Sequence, residues 1–146
     1  ALGLTDQEDG EANTQKMRES GIAANIPILE YCKDGWYLPA RNEMEAVFNA
    51  YNGGPSQSIG LKPDAIKQEE KDARAAWDKI LTDNGGDVMN VKADNTAGDS
   101  YFTSTEADDA SKVFYVRFGQ WNPGLTGAKY AKSPARYVRC IRKISK

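Results

Sequence analysis

No histidine occurs anywhere in the 146 residues. This excludes a Ser-His-Asp or Cys-His catalytic arrangement and any imidazole-ligated metal. No run of about 18 apolar residues is present, so no membrane-spanning helix and no direct membrane insertion are expected. The sequence has no Walker loop and no G-x-G-x-x-G, which sets a nucleotide site aside. Cysteine is scarce: Cys32 and Cys140 stand far apart, and neither belongs to a C-x-x-C pair, which weakens metal and redox readings. Their spacing leaves a disulfide and two buried free thiols equally open. Acidic residues are missing from the end of the chain. Between Ser111 and Lys146 lie 9 of the 19 basic residues and no acidic one. The first 110 residues hold the other 10 beside all 21 acidic ones, so a formal charge of -2 conceals a +9 tail and a −11 body. The acidic total argues against a nucleic-acid partner, while the tail keeps a local anionic partner open.

Hydrophobic residues make up 40% of the chain, with 3 Trp, 7 Tyr and 4 Phe, enough to build a core. One domain over 1–146 is expected, burying roughly two-thirds of its unfolded surface. The sequence opens at Ala1 with no targeting pattern and no initiator Met, which reads as a mature or excised domain. Residues 1–12 read as a short strand and loop, and Asn13-Thr14 as the cap of a helix running to Ser20. Asn25 reads as the cap of a second helix with Pro27 in its first turn, burying Ile28, Leu29, Tyr31 and Cys32. Trp36-Tyr37-Leu38-Pro39 reads as extended. Met44, Val47, Phe48 and Tyr51 fall on one face of a helix over 41–51, ended by Asn52-Gly53-Gly54-Pro55. Pro63-Asp64 opens a charged helix to Asp83 with a narrow stripe of Ile66, Ala73, Trp77, Ile80 and Leu81. Three strands follow: 101–105, 113–118 and 137–141. In the second, Phe114, Val116 and Phe118 point one way and Tyr115 and Arg117 the other. Helices first and strands last make an α+β arrangement.

Few residues carry a chemical signature. Glu106, Asp108 and Asp109 read as a solvated turn. Asp94-Asn95 with Asp99, and Asp83 with Asp87, are oxygen-rich turns that do not follow the calcium-loop frame, so no metal site and no cofactor are expected. Ser104 reads as a strand hydroxyl. The stretch Gly119-Gln120-Trp121-Asn122-Pro123-Gly124 places an aromatic and two amides in a Gly/Pro-rich connection after a strand, where recognition residues tend to sit. Trp121 can stack on sugar faces or aromatic partners, and Gln120 and Asn122 offer donors and acceptors. Packing of Trp121 into the core is the alternative. Lys129, Tyr130, Lys132 and Ser133 continue the aromatic-plus-basic mixture.

The blocks GLTDQEDGEANTQKM (3–17), GWYLPARNEMEAVF (35–48), YFTSTEADDASKVFYVRF (101–118) and YVRCIR (137–142), with the helix ending in Cys32, resemble the bacterial Lcl C-terminal domain family. Residues 55–98 follow it loosely. The resemblance implies a C-type-lectin-like fold, N-terminal helices on a small, mostly antiparallel sheet of C-terminal strands. It is similar in fold to retroelement-diversified variable receptor proteins. It also implies an extracellular or cell-surface location as part of a larger exported bacterial protein, and a non-enzymatic adhesion or recognition role. By the same resemblance Cys32 and Cys140 are expected to be bridged, 36–39 to be core, and the ligand surface to fall on Tyr115, Arg117 and the 119–133 connection. The full expected site is Tyr115, Arg117, Gln120, Trp121, Asn122, Lys129, Tyr130 and Lys132, for a glycan or a protein surface. A structural or tip subunit of a fimbria or envelope assembly is the alternative. An enzyme acting on carbohydrate or sulfate esters would need two convergent carboxylates.

Three departures from the family pattern stand out. Ala40 replaces a capping Ser while Glu43 remains, so the helix start is expected to be less well capped. The Glu-Pro-Asn and Trp-Asn-Asp motifs of calcium-dependent lectins are absent, Trp121-Asn122-Pro123 matching only half of the second. The cysteine chemistry of formylglycine-generating enzymes is unsupported with both thiols bridged. Within the tail, Arg136, Arg139 and Arg142 are expected to pair inside the domain, leaving Arg117, Lys129 and Lys132 for a partner.

Overall fold

The computed structural model describes residues 2–54, 67–89, 100–107, 112–118, 124–131 (backbone only) and 137–144. The protein is α+β. Helices α1 (Gly10–Glu19), α2 (Arg41–Tyr51) and α3 (Gln68–Asp83) precede strands β1 (Ser100–Glu106), β2 (Lys112–Arg117) and β3 (Gly124–Ala131). The strands form one antiparallel sheet in the order β1-β2-β3.

Helix α1 begins four residues earlier than its sequence suggests, counted from cap to cap. Asp9 is the N-cap, its carboxylate accepting the Ala12 N–H at 2.9 Å. Asn13 and Thr14, expected to cap, are buried inside the helix and bind outward: Asn13 Nδ2 donates to Asp6 O and Ser104 Oγ, and Thr14 Oγ1 accepts the Leu38 N–H. The expected second helix is instead two 3₁₀ turns, Ala23–Asn25 and Pro27–Glu30. Leu29 and Cys32 are buried there, but Tyr31 is 78% exposed, because a 3₁₀ turn does not repeat the α-helical face.

Helix α2 has the predicted bounds. Met44, Phe48 and Tyr51 are buried, and Gly53, at φ 80, turns the chain away in a conformation that L side chains resist. Its start is capped despite Ala40. Glu43 Oε2 accepts the Ala40 N–H at 2.8 Å, Thr105 Oγ1 accepts that of Arg41, and Gln7 O accepts that of Asn42. The missing hydroxyl is replaced by tertiary partners.

Helix α3 departs from its apolar stripe. Its buried residues are Glu70 and Arg74, while Ala73 and Leu81 are half-buried and Trp77 and Ile80 are exposed. Pro63, Asp64 and Ile66 lie outside the described residues.

Phe118, just after β2, is the centre of the main core. The rings of Phe48, Tyr51 and Tyr101 stand edge-on to it at centroid distances of 5.3, 5.7 and 5.1 Å. Met44, Met89 and Val116 complete the cluster. A second cluster joins Leu4, Met17, Leu29, Cys32 and Leu38. Across it the Cys32–Cys140 disulfide ties the segment after α1 to the C-terminal segment, with Cα atoms 5.4 Å apart.

The expected strand over 137–141 is reduced to two bridges. Tyr37 pairs antiparallel with Ile141, and Tyr101 pairs parallel with Tyr137. The sheet's third strand is β3, inside the segment read as a connection. The outer edge of β1 is covered by chain from three places: Glu106 N–H donates to Leu4 O, Ser104 N–H to Pro39 O and Phe102 N–H to Tyr137 O. No β1 edge is left open for pairing with another chain at these positions.

Candidate ligand-binding face

The candidate face expected from the sequence, Tyr115, Arg117 and the 119–133 connection, involves β2 and a connection that contains β3. The strands pair with Val113 opposite Tyr130, Phe114 opposite Lys129, Tyr115 opposite Thr126 and Arg117 opposite Gly124, with an irregularity between Phe114 and Tyr115. Lys129 and Tyr130 are therefore successive positions of β3. Gln120, Trp121, Asn122 and Lys132 lie outside the described residues, as do Asp94, Asn95, Asp99, Asp108, Asp109 and Ser133.

The predicted alternation of β2 holds on the helix-facing side. Val116 and Phe118 enter the main core, and Phe114 lies beneath the Arg41 guanidinium at the start of α2, 4.4 Å from the ring centroid. The other side is not an open surface. Tyr115 is 4% and Arg117 8% exposed, and both have interaction partners within the chain. They form part of the packed sheet.

Glu106 is likewise no solvated turn. It is buried at the end of β1, and its carboxylate accepts the backbone N–H of Leu2 at 2.9 Å and of Leu4 at 3.4 Å. Ser104 is the expected strand hydroxyl, accepting from Asn13 Nδ2 at 3.1 Å. Asp83 pairs with Lys79 at 2.5 Å on the exposed side of α3. Among the described residues no group of three or more Cys, Asp or Glu side chains is placed to hold a metal ion. No helix among them is long and apolar enough to cross a membrane.

Below the point where β2 leaves the core lies a polar cluster that sequence patterning missed. Arg74 Nε donates to Asn52 Oδ1 at 2.7 Å, its Nη1 donates to Phe118 O at 3.4 Å, and its guanidinium faces the Tyr51 ring at 5.4 Å. Burial disfavours its charged form and lowers its pKa. The Tyr51 hydroxyl donates to Asp78 Oδ2 at 3.2 Å, and burial together with the Asp78 carboxylate raises its pKa. Arg74 thereby holds the last backbone carbonyl before the 119–123 connection. Glu70, Arg74 and Asp78 recur every four residues, a helical face visible in the sequence once polar residues are allowed to be buried.

A second polar centre joins α1 to α2. Glu43 Oε2 accepts the N–H of Gly10 at 2.9 Å as well as that of Ala40, and Glu43 Oε1 accepts the Tyr37 hydroxyl at 3.2 Å. Desolvation, and then the Glu43 carboxylate, push the Tyr37 pKa up to about 12.

Among the described residues the tail's cations are engaged within the chain. Arg139 Nη2 donates to Asp87 O at 3.0 Å, Arg142 lies over the Trp36 ring at 5.0 Å, and Lys143 pairs with Glu11 at 2.6 Å. Arg136 lies outside the described residues. Trp36 departs from the expected core block: Tyr37, Leu38 and Pro39 are buried, but Trp36 is 42% exposed. The chain matches no protein-family model, no curated protein and no solved structure with which it was compared.

Proposed function

We infer that the chain is a non-enzymatic recognition domain with a C-type-lectin-like fold, belonging to an exported or surface bacterial protein. The observation that carries this reading is the Cys32–Cys140 disulfide. It fastens the segment after the first helix to the C-terminal segment, the pairing that the family resemblance implies. Such a bridge persists in oxidising compartments, which supports export. The antiparallel sheet, packed on α2 and covered along β1 by three chain segments, includes part of the 119–133 segment as β3.

Recognition is assigned to Gln120, Trp121, Asn122, Lys129, Tyr130 and Lys132. Tyr115 and Arg117, both buried, act as packed support within the sheet. Aromatic stacking supplies contact area, and the cations favour an anionic or hydroxyl-rich surface, a glycan or another protein. Glycan and protein arrays probed with wild type, Trp121→Ala and Tyr130→Ala test the assignment. Binding lost in the variants at unchanged melting temperature supports it, and unaltered binding removes it.

A subunit role in a fimbria or envelope assembly is favoured by one feature. Trp77 and Ile80 stand out of α3 one turn apart, Ile80 being 57% exposed. Co-elution with a neighbouring gene product, lost in Trp77→Ser/Ile80→Ser, separates this reading from a free receptor.

A further inference from the structure

Away from the sheet, α1 and the turn following Cys32 enclose a shallow cleft of about 220 Å³. Glu11, Gln15 and Arg18, spaced four and three residues apart, line one wall because they share a helical face. Asp34, Trp36 and Tyr37 line the other.

Most of this wall is fixed without a ligand. The Arg18 guanidinium donates to the carbonyl of Cys32, which the disulfide holds. The Glu11 carboxylate is held by Lys143, and the Tyr37 hydroxyl by Glu43. Asp34 has φ 56, a left-handed conformation that Asp tolerates better than most residues, and Gly35 follows at φ 88. This turn brings Asp34 and the half-exposed Trp36 indole to the same cleft.

The chemistry of the walls narrows the ligand. Among the lining residues Glu11 is neutralised by Lys143 and Asp34 is offset by Arg18, while Arg142 lies over one face of the Trp36 ring, so the lining itself gives the cleft no strong preference for an anion or a cation. It offers carboxylate and amide oxygens to hydroxyl donors, amide and guanidinium N–H groups to acceptors, and one indole to an apolar ring face. Its volume is below the roughly 300–1,000 Å³ of drug-sized sites, which suits a single ring. We propose that this cleft is a binding site for one neutral saccharide ring, with Trp36 as stacking platform and Asp34 and Gln15 as hydroxyl partners. The site is separate from the 119–133 segment and does not depend on its role.

Titration of the disulfide-bonded protein with glucose, galactose, mannose and N-acetylglucosamine, followed by NMR, tests the proposal. At least one sugar is expected to give saturable shifts centred on the Trp36 Nε1–H and the Gln15 amide. Affinity should fall at least about tenfold in Trp36→Ala and in Asp34→Asn, which keeps a residue tolerant of the left-handed turn. Unperturbed spectra elsewhere establish that the variants are folded. Absence of saturable shifts with all four sugars overturns the proposal. So do shifts indifferent to both cleft variants.

Discussion

Gly10 and Glu43 are joined across 33 positions of sequence: the backbone N–H at the start of α1 donates to Glu43 Oε2, in the first turn of α2, at 2.9 Å. One carboxylate thereby satisfies orphan donors at two helix starts, where the helix dipoles also favour negative charge. The approach leaves no room for a side chain. A Cβ on Gly10 would lie 2.3 Å from Leu38 O and 2.5 Å from both Ala40 N and Glu43 Oε2.

Gly10→Ala should therefore reverse the usual rule for helices. Alanine in a helix ordinarily stabilises by roughly 0.5–1 kcal/mol over glycine. Here overpacking against backbone should destabilise by about 1–3 kcal/mol, read as a lower midpoint in urea unfolding.

Glu43→Gln tests the same junction from the other side. The amide keeps one acceptor oxygen where the carboxylate serves three donors, so a loss of about 1–3 kcal/mol is expected. Tyr37 supplies an independent readout. Its pKa is raised from 10.0 to about 12 in the folded protein, so the neutral phenol is the form the fold favours. Its contribution is fully present below pH 10 and is lost as pH rises from 10 through 12. Ultraviolet titration should show one tyrosine ionising near 12 in the wild type and at lower pH in Glu43→Gln.

Arg74→Met should destabilise the protein although methionine fills similar volume, because the Asn52 and Phe118 acceptors lose their donor. The expected cost is about 1–3 kcal/mol. A double-mutant cycle with Asn52→Ala should return a coupling of about 0.5–3 kcal/mol, and additivity would deny the contact.

Reduction of the Cys32–Cys140 bridge should raise the mass by two hydrogens and lower the melting temperature. The chain-entropy relation puts its contribution at about 4–5 kcal/mol for a loop near 100 residues. Free thiols in protein purified from an oxidising compartment would refute the pairing.

The parts of the fold legible in the sequence are those where one physical signal acts alone. Helix α2 has a clean apolar face and a glycine stop, so both bounds were readable. β1 and β2 are rich in β-branched and aromatic residues, and β2 showed its two faces. Helix α3 was readable as a helix but not by face, because buried Glu70 and Arg74 carry polar groups that only tertiary partners satisfy. The start of α1 was misplaced because Asn13-Thr14 suits a cap equally well as a buried link to Ser104 and Leu38. β3 was missed because Gly124 and Gly127 weaken strand propensity, and pairing with β2 overrides it. Within the candidate site, the burial of Tyr115 and Arg117 was not readable, because it follows from packing on the sheet's second face.

The most direct test of the recognition role uses a protein whose sole tryptophan is Trp121, made by Trp36→Phe and Trp77→Phe. Its fluorescence is followed while the ligand identified on the arrays is added. The account predicts a saturable change in Trp121 emission whose midpoint equals the binding constant measured on the array. Saturated binding with Trp121 emission unchanged would contradict it.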